Sequence, residues 1–227
     1  MTFVFPPAEP VSVAISGSSE MFPVNRVFCV GRNYAAHARE MGHDPDREPP
    51  FFFQKNADCI TTDGVFPYPA GASDVHHEIE LAVCLKSGGN SIAASDALTH
   101  VFGYVVALDM TRRDLQADLK KLGRPWEVAK AFAASAPCSA IQPVSAIGHP
   151  AAGEIHLHVN GAVRQAGDLQ QLIWPVADLI ARLSTYFTLR AGDIILTGTP
   201  DGVGAVHPGD RLSGHIHGVG DLDVVVR

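Results

Sequence analysis

Apolar and polar residues alternate in short runs over most of this chain, and Gly, Pro and Asn turn signals separate the runs. A period of two marks strands, because successive side chains point to opposite faces. On that pattern strands are expected at 26–30, 51–54, 76–86, 101–109, 155–159 and 191–196, and the tail 210–227 reads as an edge hairpin. Asn160-Gly161, after the alternation at 155–159, is a strong hairpin signal. Leu172, Ile173, Val176, Leu179, Ile180, Leu183 and Phe187 fall at helical spacing and predict one amphipathic helix over 171–187. Shorter helical stretches are expected from Gly31 to Glu40 and after Thr111. Many short strands with few helices predict a β-rich α+β domain rather than a regular βαβ array. Residues 1–22, with their prolines and one alternating stretch, read as an extended N-terminal arm ahead of a single domain spanning 23–227.

Composition narrows the class. The chain has 227 residues, 46% hydrophobic and 18% charged, which fits a soluble globular protein with a sizeable core. A formal net charge of −7 without a basic stripe argues against nucleic acid as a partner. The longest apolar run, 101–108, is far too short for a membrane span, and the N-terminus lacks the pattern of a signal peptide. Four scattered cysteines (Cys29, Cys59, Cys84 and Cys138) with no C-x-x-C pattern read as buried free thiols in a reducing cytoplasm.

The candidate chemistry begins with Glu78 and Glu80. On a strand, alternate side chains share a face and stand roughly 6.6 Å apart, a separation that suits two oxygen ligands on one hard cation. A wet strand face would carry the same pattern. However, Ala82 and Cys84 continue that face and are types usually found buried, and Ile79, Leu81, Val83 and Leu85 form an apolar opposite face. Both faces of the sheet are therefore expected to be covered, and two buried like charges call for a counter-charge. Asp109, ending the apolar run, is either an N-cap for the following helix or a third ligand. Lys130 interrupts the apolar stretch Val128-Ala-Lys-Ala-Phe-Ala and is either a snorkelling surface lysine or part of the site. Arg113 and Gln116 share a helix face, and Lys55 follows Phe51-Phe-Phe-Gln. His37 and Glu40, three apart, form either a general-base dyad or a solvated pair. His156 with His158, and His215 with His217, read as outward-facing strand residues. Leu196-Thr-Gly-Thr-Pro-Asp-Gly-Val-Gly204 is either a plain turn or a cradle in which backbone amides and the Thr199 hydroxyl hold a small carboxylate.

Six segments in order resemble the fumarylacetoacetate hydrolase family: Gly31-Arg-Asn-Tyr-Ala-Ala-His37 with Glu40, Pro50-Phe-Phe-Phe-Gln-Lys55, His76-His-Glu-Ile-Glu-Leu81, Asp109-Met-Thr-Arg-Arg-Asp-Leu-Gln116, Arg124-Pro-Trp-Glu-Val-Ala-Lys130 and 196–204. The resemblance covers roughly residues 25–227. It implies a mixed-sheet β-roll fold, a homodimer, and Mg²⁺ or Mn²⁺ held by Glu78, Glu80 and Asp109. It further implies His37 and Glu40 as a water-activating pair, Lys130 as a catalytic cation, and Arg113, Gln116 and Thr199 at the substrate site. Arg32, Tyr34, Lys55 and Gly198 lie in the same matched stretches and complete the expected set. The activity it implies is hydrolysis of a carbon–carbon bond in an acylpyruvate such as fumarylpyruvate, in aromatic-compound degradation. Oxaloacetate decarboxylation, fumarylacetoacetate hydrolysis or isomerisation, and metal-dependent dicarboxylate binding without turnover are the alternatives. Asn56 after Lys55, and Ala133, depart from the residues common in the family.

Overall fold

The computed structural model describes residues 2–35 and 49–227. Its centre is a six-stranded mixed sheet in the order Gln142–Pro143, Val101–Leu108, Ile79–Leu85, Ile194–Leu196, Val27–Gly31 and Phe51–Lys55. Neighbours run antiparallel except Ile194–Leu196 with Val27–Gly31. Every residue of Ile79–Leu85 is buried, because both faces of this sheet are covered. Ile79, Leu81, Val83 and Leu85 enter the larger core beside Phe28, Val106 and the Val176–Ser184 helix. Ala82 and Cys84 enter a smaller core with Val13, Phe22 and Ile141. This two-sided burial is what the small residues beyond Glu80 predicted.

A five-stranded sheet closes the larger core, in the order Ala162–Asp168, Glu154–Val159, Arg211–Ile216, Gly220–Val226 and Val65–Phe66. The expected hairpin turn is present, with Asn160 at φ 53° and Gly161 at φ 82°, the left-handed backbone of a tight two-residue connection. The C-terminal hairpin is not at the edge as expected. Val65–Phe66 pairs in parallel with Gly220–Val226 and covers its outer side. On the outward face, His156 stacks 5.2 Å from His215 and meets His158 edge-on at 5.0 Å.

The expected 171–187 helix is shorter than its apolar spacing suggested. Leu169–Gln171 is a separate 3-10 turn capped by Asp168, and the helix runs only over Val176–Ser184. Pro175 explains the break, since proline holds the preceding residue out of helical conformation and brings no N–H of its own. Residues 2–10 are exposed and form no regular element. Ser12–Ala14 and Met21–Pro23 then pair as a hairpin that packs Val13 and Phe22 into the smaller core. All four cysteines are buried and free. Among the described residues no helix is long and apolar enough to cross a membrane.

Asn33 ties the chain leaving Val27–Gly31 to two other segments. Its amide donates to Trp174 O (3.0 Å) and Thr197 O (2.8 Å), and its Oδ1 accepts from Trp174 N (2.7 Å). Asn33→Ala leaves these backbone groups unpaired, and the expected cost is about 1–3 kcal/mol of stability. Chemical denaturation of the two proteins measures it; unchanged stability would refute the tether.

Candidate metal centre and active site

The expected strand at 76–86 is broken at Glu78. Val75–His77 leaves the central sheet to pair with Thr111–Arg112 and Gly204–Ala205, while Ile79–Leu85 stays in it. Glu78 therefore sits where the chain passes from one sheet to another. Ile79 is paired with Leu108, and Asp109 N donates to Glu78 O at 2.8 Å, so Asp109 lies across from Glu78 at the end of the same strand pair. Glu80 opposes Ala107, two residues further in. Strand period and cross-strand register thus bring three carboxylates together, each offering an oxygen within 4.8 Å of the others. All three are buried, Asp109 to 1% exposure.

Three cations answer this charge. Lys130 Nζ donates to Glu78 Oε2 at 2.8 Å and Asp109 Oδ2 at 2.7 Å. Arg113 Nη2 lies 2.5 Å from Glu78 Oε1. Lys55 Nζ sits 2.9 Å from Asp109 Oδ1. Lys130 is therefore no snorkelling surface lysine. Burial lowers its affinity for a proton, but the Asp109 and Glu78 charges outweigh that and hold its pKa above the usual lysine value. Asp109 caps no helix, because Arg113–Lys121 starts after Arg112 without a side-chain cap.

Glu80 is left short of positive charge. Among the described residues no ion pair reaches it, and it accepts a hydrogen bond from the Gly198 N–H at 2.7 Å. Burial, then the neighbouring Asp109 and Glu78 charges, push its pKa well above the ordinary carboxylate value. Asp109 Oδ1 is likewise buried, and among the described residues it meets Lys55 as an ion pair without an aligned hydrogen bond. A buried pocket where three carboxylates converge, one of them without a paired cation among the described residues, fits a small hard divalent cation, Mg²⁺ or Mn²⁺. Glu78, Glu80 and Asp109 are the residues that would hold it.

One cavity collects most of the expected site residues: Glu78, Glu80, Asp109, Lys130, Arg113, Gln116, Thr199 and, at its rim, Arg32. Its other wall is aromatic, built from Phe51, Phe53 and Trp126, with Trp126 edge-on to Phe51 at 5.1 Å. Three expected substrate contacts stand outside the lining. Lys55 is buried behind Asp109, where its Nζ also donates to Ser135 Oγ (2.9 Å), Met110 O (3.2 Å) and Lys130 O. Gly198 spends its N–H on Glu80, and a Cβ there would come 2.8 Å from Asn33 Cβ at a φ of 99°. Tyr34 is buried, and among the described residues its hydroxyl has no partner. Burial, then the Glu80 and Asp168 charges, raises its pKa. Thr199 lines the cavity, and its hydroxyl donates to Ile79 O at 2.7 Å. His37 and Glu40 lie outside the described residues.

Two contributors were missed at the level of sequence. Ser135 and Gln165 are fully buried polar side chains that touch Lys55 and Thr199 respectively. Neither stands in a segment whose spacing suggested chemistry. Only an inward-facing polar residue in an otherwise exposed strand marks Gln165.

Residues 26–227 match the family model for the fumarylacetoacetate (FAA) hydrolase C-terminal domain. The fold superimposes on a fumarylpyruvate hydrolase from Pseudomonas aeruginosa, solved with Mn²⁺ and pyruvate. That comparison has a TM-score of 0.97 and 51% identity, and covers 99% of each chain. Among curated proteins, the oxaloacetate tautomerase YcgM of Escherichia coli (strain K12) is 42% identical over 193 residues, covering 85% of this chain and 88% of its own. The mitochondrial oxaloacetate tautomerase FAHD1 of Bos taurus is also 42% identical over 193 residues, covering 85% and 87%. With its strand-rich mixed-sheet fold and its cluster of Glu78, Glu80 and Asp109, this chain belongs to the fumarylacetoacetate hydrolase family.

Proposed function

We propose that this protein hydrolyses the carbon–carbon bond of an acylpyruvate, with fumarylpyruvate the first substrate to test, yielding fumarate and pyruvate in the degradation of aromatic compounds. The observation that carries the reading is the set of hydrogen-bond donors standing beside the three carboxylates. Lys130 has three ammonium N–H groups and spends two on Glu78 and Asp109, which leaves one for a substrate oxygen. Arg113 draws the Gln116 amide oxygen to itself, so Gln116 presents its NH₂ group to the cavity. These donors suit the oxygens of an oxo acid. The working form proposed is a cytoplasmic homodimer.

A divalent cation bound by Glu78, Glu80 and Asp109 supplies Lewis-acid polarisation of the oxo-acid end. His37, oriented by Glu40, takes a proton from the attacking water, whose oxygen adds to the distal carbonyl carbon. The carbon–carbon bond then breaks, its electron pair passes to the pyruvate fragment, and a proton completes the pyruvate methyl group. The free N–H of Lys130 steadies the negative charge that develops on the departing oxygen. Phe51, Phe53 and Trp126 keep one side of the cavity apolar, which strengthens each of these charge interactions.

A second reading is favoured by the similarity to the oxaloacetate tautomerases. Interconverting the keto and enol forms of oxaloacetate needs proton transfer at carbon but no attacking water. Turnover numbers on fumarylpyruvate and oxaloacetate, measured on one preparation with Mn²⁺, separate the two. Faster hydrolysis supports the first reading, and tautomerisation without hydrolysis would replace it.

Metal removal is the sharpest check on the site. Chelation, or Glu80→Gln, is expected to abolish turnover, with chelated protein recovering when Mn²⁺ is returned. Full activity in the metal-stripped protein would sink the scheme. His37→Ala is expected to slow fumarylpyruvate hydrolysis by about 10²- to 10⁴-fold. Calorimetric titration with Mn²⁺ should give this variant the wild-type affinity, whereas an unaltered hydrolysis rate would remove His37 from the mechanism.

A further inference from the structure

Gln165 is the only fully buried position in Ala162–Asp168, a strand whose other residues are exposed or half-buried. A β-bulge puts it there. Leu157 opposes Gln165 while His158 opposes Val163, so Arg164 is an extra residue in the ladder. That insertion leaves Val163 60% exposed and turns Gln165 inward, although strict alternation would place both on one face. Gly202, at φ 88°, passes so close to the bulge that a Cβ would meet Arg164 O at 2.1 Å. Bulge and glycine together let the 198–202 loop reach Gln165.

The buried amide uses its full hydrogen-bonding capacity. Oε1 accepts from Ile79 N (3.1 Å) and from His77 Nδ1 (2.9 Å). Nε2 donates to Thr199 Oγ1 (2.8 Å) and Pro200 O (2.9 Å). Its orientation is unambiguous, because Ile79 N–H can only donate and Pro200 O can only accept. His77 must therefore carry its proton on Nδ1. Thr199 Oγ1, receiving from Gln165, can send its own proton only to Ile79 O. One side chain thus joins the peptide between Glu78 and Glu80 to the loop whose Gly198 N–H holds Glu80.

We propose that Gln165 is a positioning residue for the metal centre: it clamps the Glu78-Ile79-Glu80 backbone to the Thr199–Pro200 loop and so sets the spacing of the two glutamate ligands. The clamp rests on the reading of Glu78, Glu80 and Asp109 as a cation site. Hydrogen-bond partners of this kind typically govern metal affinity by 10- to 100-fold.

The test is Mn²⁺ affinity, read from the electron paramagnetic resonance signal of the free ion, in wild type, Gln165→Met, Thr199→Val and the double variant. Gln165→Met keeps the side chain's bulk and deletes its hydrogen bonds. It is expected to weaken Mn²⁺ binding by about 10- to 100-fold. Because Thr199 is one arm of the clamp, the double variant is expected to lose less than the sum of the single losses, and general loss of stability would instead make the two effects add. Wild-type affinity in Gln165→Met, or additive losses, would overturn the clamp. If Gln165→Met does not fold, Thr199→Val decides, since it removes the Thr199 arm that ties the loop to both Gln165 and Ile79, and wild-type affinity there would refute the proposal. Absence of Mn²⁺ binding by the wild type would instead overturn the metal reading beneath it.

Discussion

Glu78, Glu80 and Asp109 place three like charges within 4.8 Å of one another in a region that water hardly reaches. Repulsion between carboxylates is steep there, because low dielectric screens it poorly and burial removes the hydration that would soften it. The surrounding structure answers that constraint from several directions. Lys130 bridges two of the three, Arg113 and Lys55 each take one outer oxygen, and a backbone N–H reaches the third carboxylate. Each of those groups is itself held in turn. Lys55 is fixed by Ser135 and by the carbonyls of Met110 and Lys130, so the position of Asp109 is tied to that of the Lys130 backbone.

The fold explains why the charges can be gathered at all. The central sheet is buried on both faces, so its middle strands can be apolar throughout and rigid. At its end the chain leaves one sheet for another, and the change happens at Glu78. A residue at such a junction can turn its carboxylate toward the adjoining strand end, where Asp109 waits. Glu80, still in the regular ladder, keeps the strand geometry that pairs it with the 198–200 loop. The site is therefore a seam between two sheets, with the bulge at Arg164 fastening the far side.

Local pattern carried much of this, and the reasons for its limits are physical. Strand alternation around Glu80 was legible because the two faces differ in residue type, and Asn160-Gly161 declared its turn through the left-handed backbone it requires. The family motifs supplied the grouping of Glu78, Glu80, Asp109, Arg113, Gln116, Lys130 and Thr199, which no spacing rule could connect across 122 positions (from 78 to 199, inclusive). Pattern failed where a decisive event is non-local. Apolar spacing over 171–187 hid the stop that Pro175 imposes. The C-terminal hairpin looked like an edge because Val65–Phe66, its parallel neighbour, is a remote two-residue strand. Lys55 looked like a substrate contact and is a buried support, a difference set by partners some 55 to 80 residues away. Gln165 gave no signal because its inward aim comes from a bulge, and a bulge is a property of two strands, not of one.

Charge balance bears on the substrate proposed for this architecture. Among the described residues, the three carboxylates and the cations paired with them, Lys55, Lys130 and Arg113, cancel formally, while Arg32 and Lys120 also line the cavity. The paired groups by themselves therefore exert little net pull on an anion. Adding a divalent cation leaves the cluster with an excess of two positive charges, in a setting where fields are weakly screened. A substrate bearing two carboxylates then restores neutrality, while a monoanion leaves one charge over. Under the proposed metal-bound reading, fumarylpyruvate and oxaloacetate both satisfy that count, so charge alone would not choose between them. The choice must come from shape and from the proton-transfer groups beyond the three carboxylates. That division of labour explains how one scaffold serves relatives named as hydrolases and as tautomerases with closely similar chains.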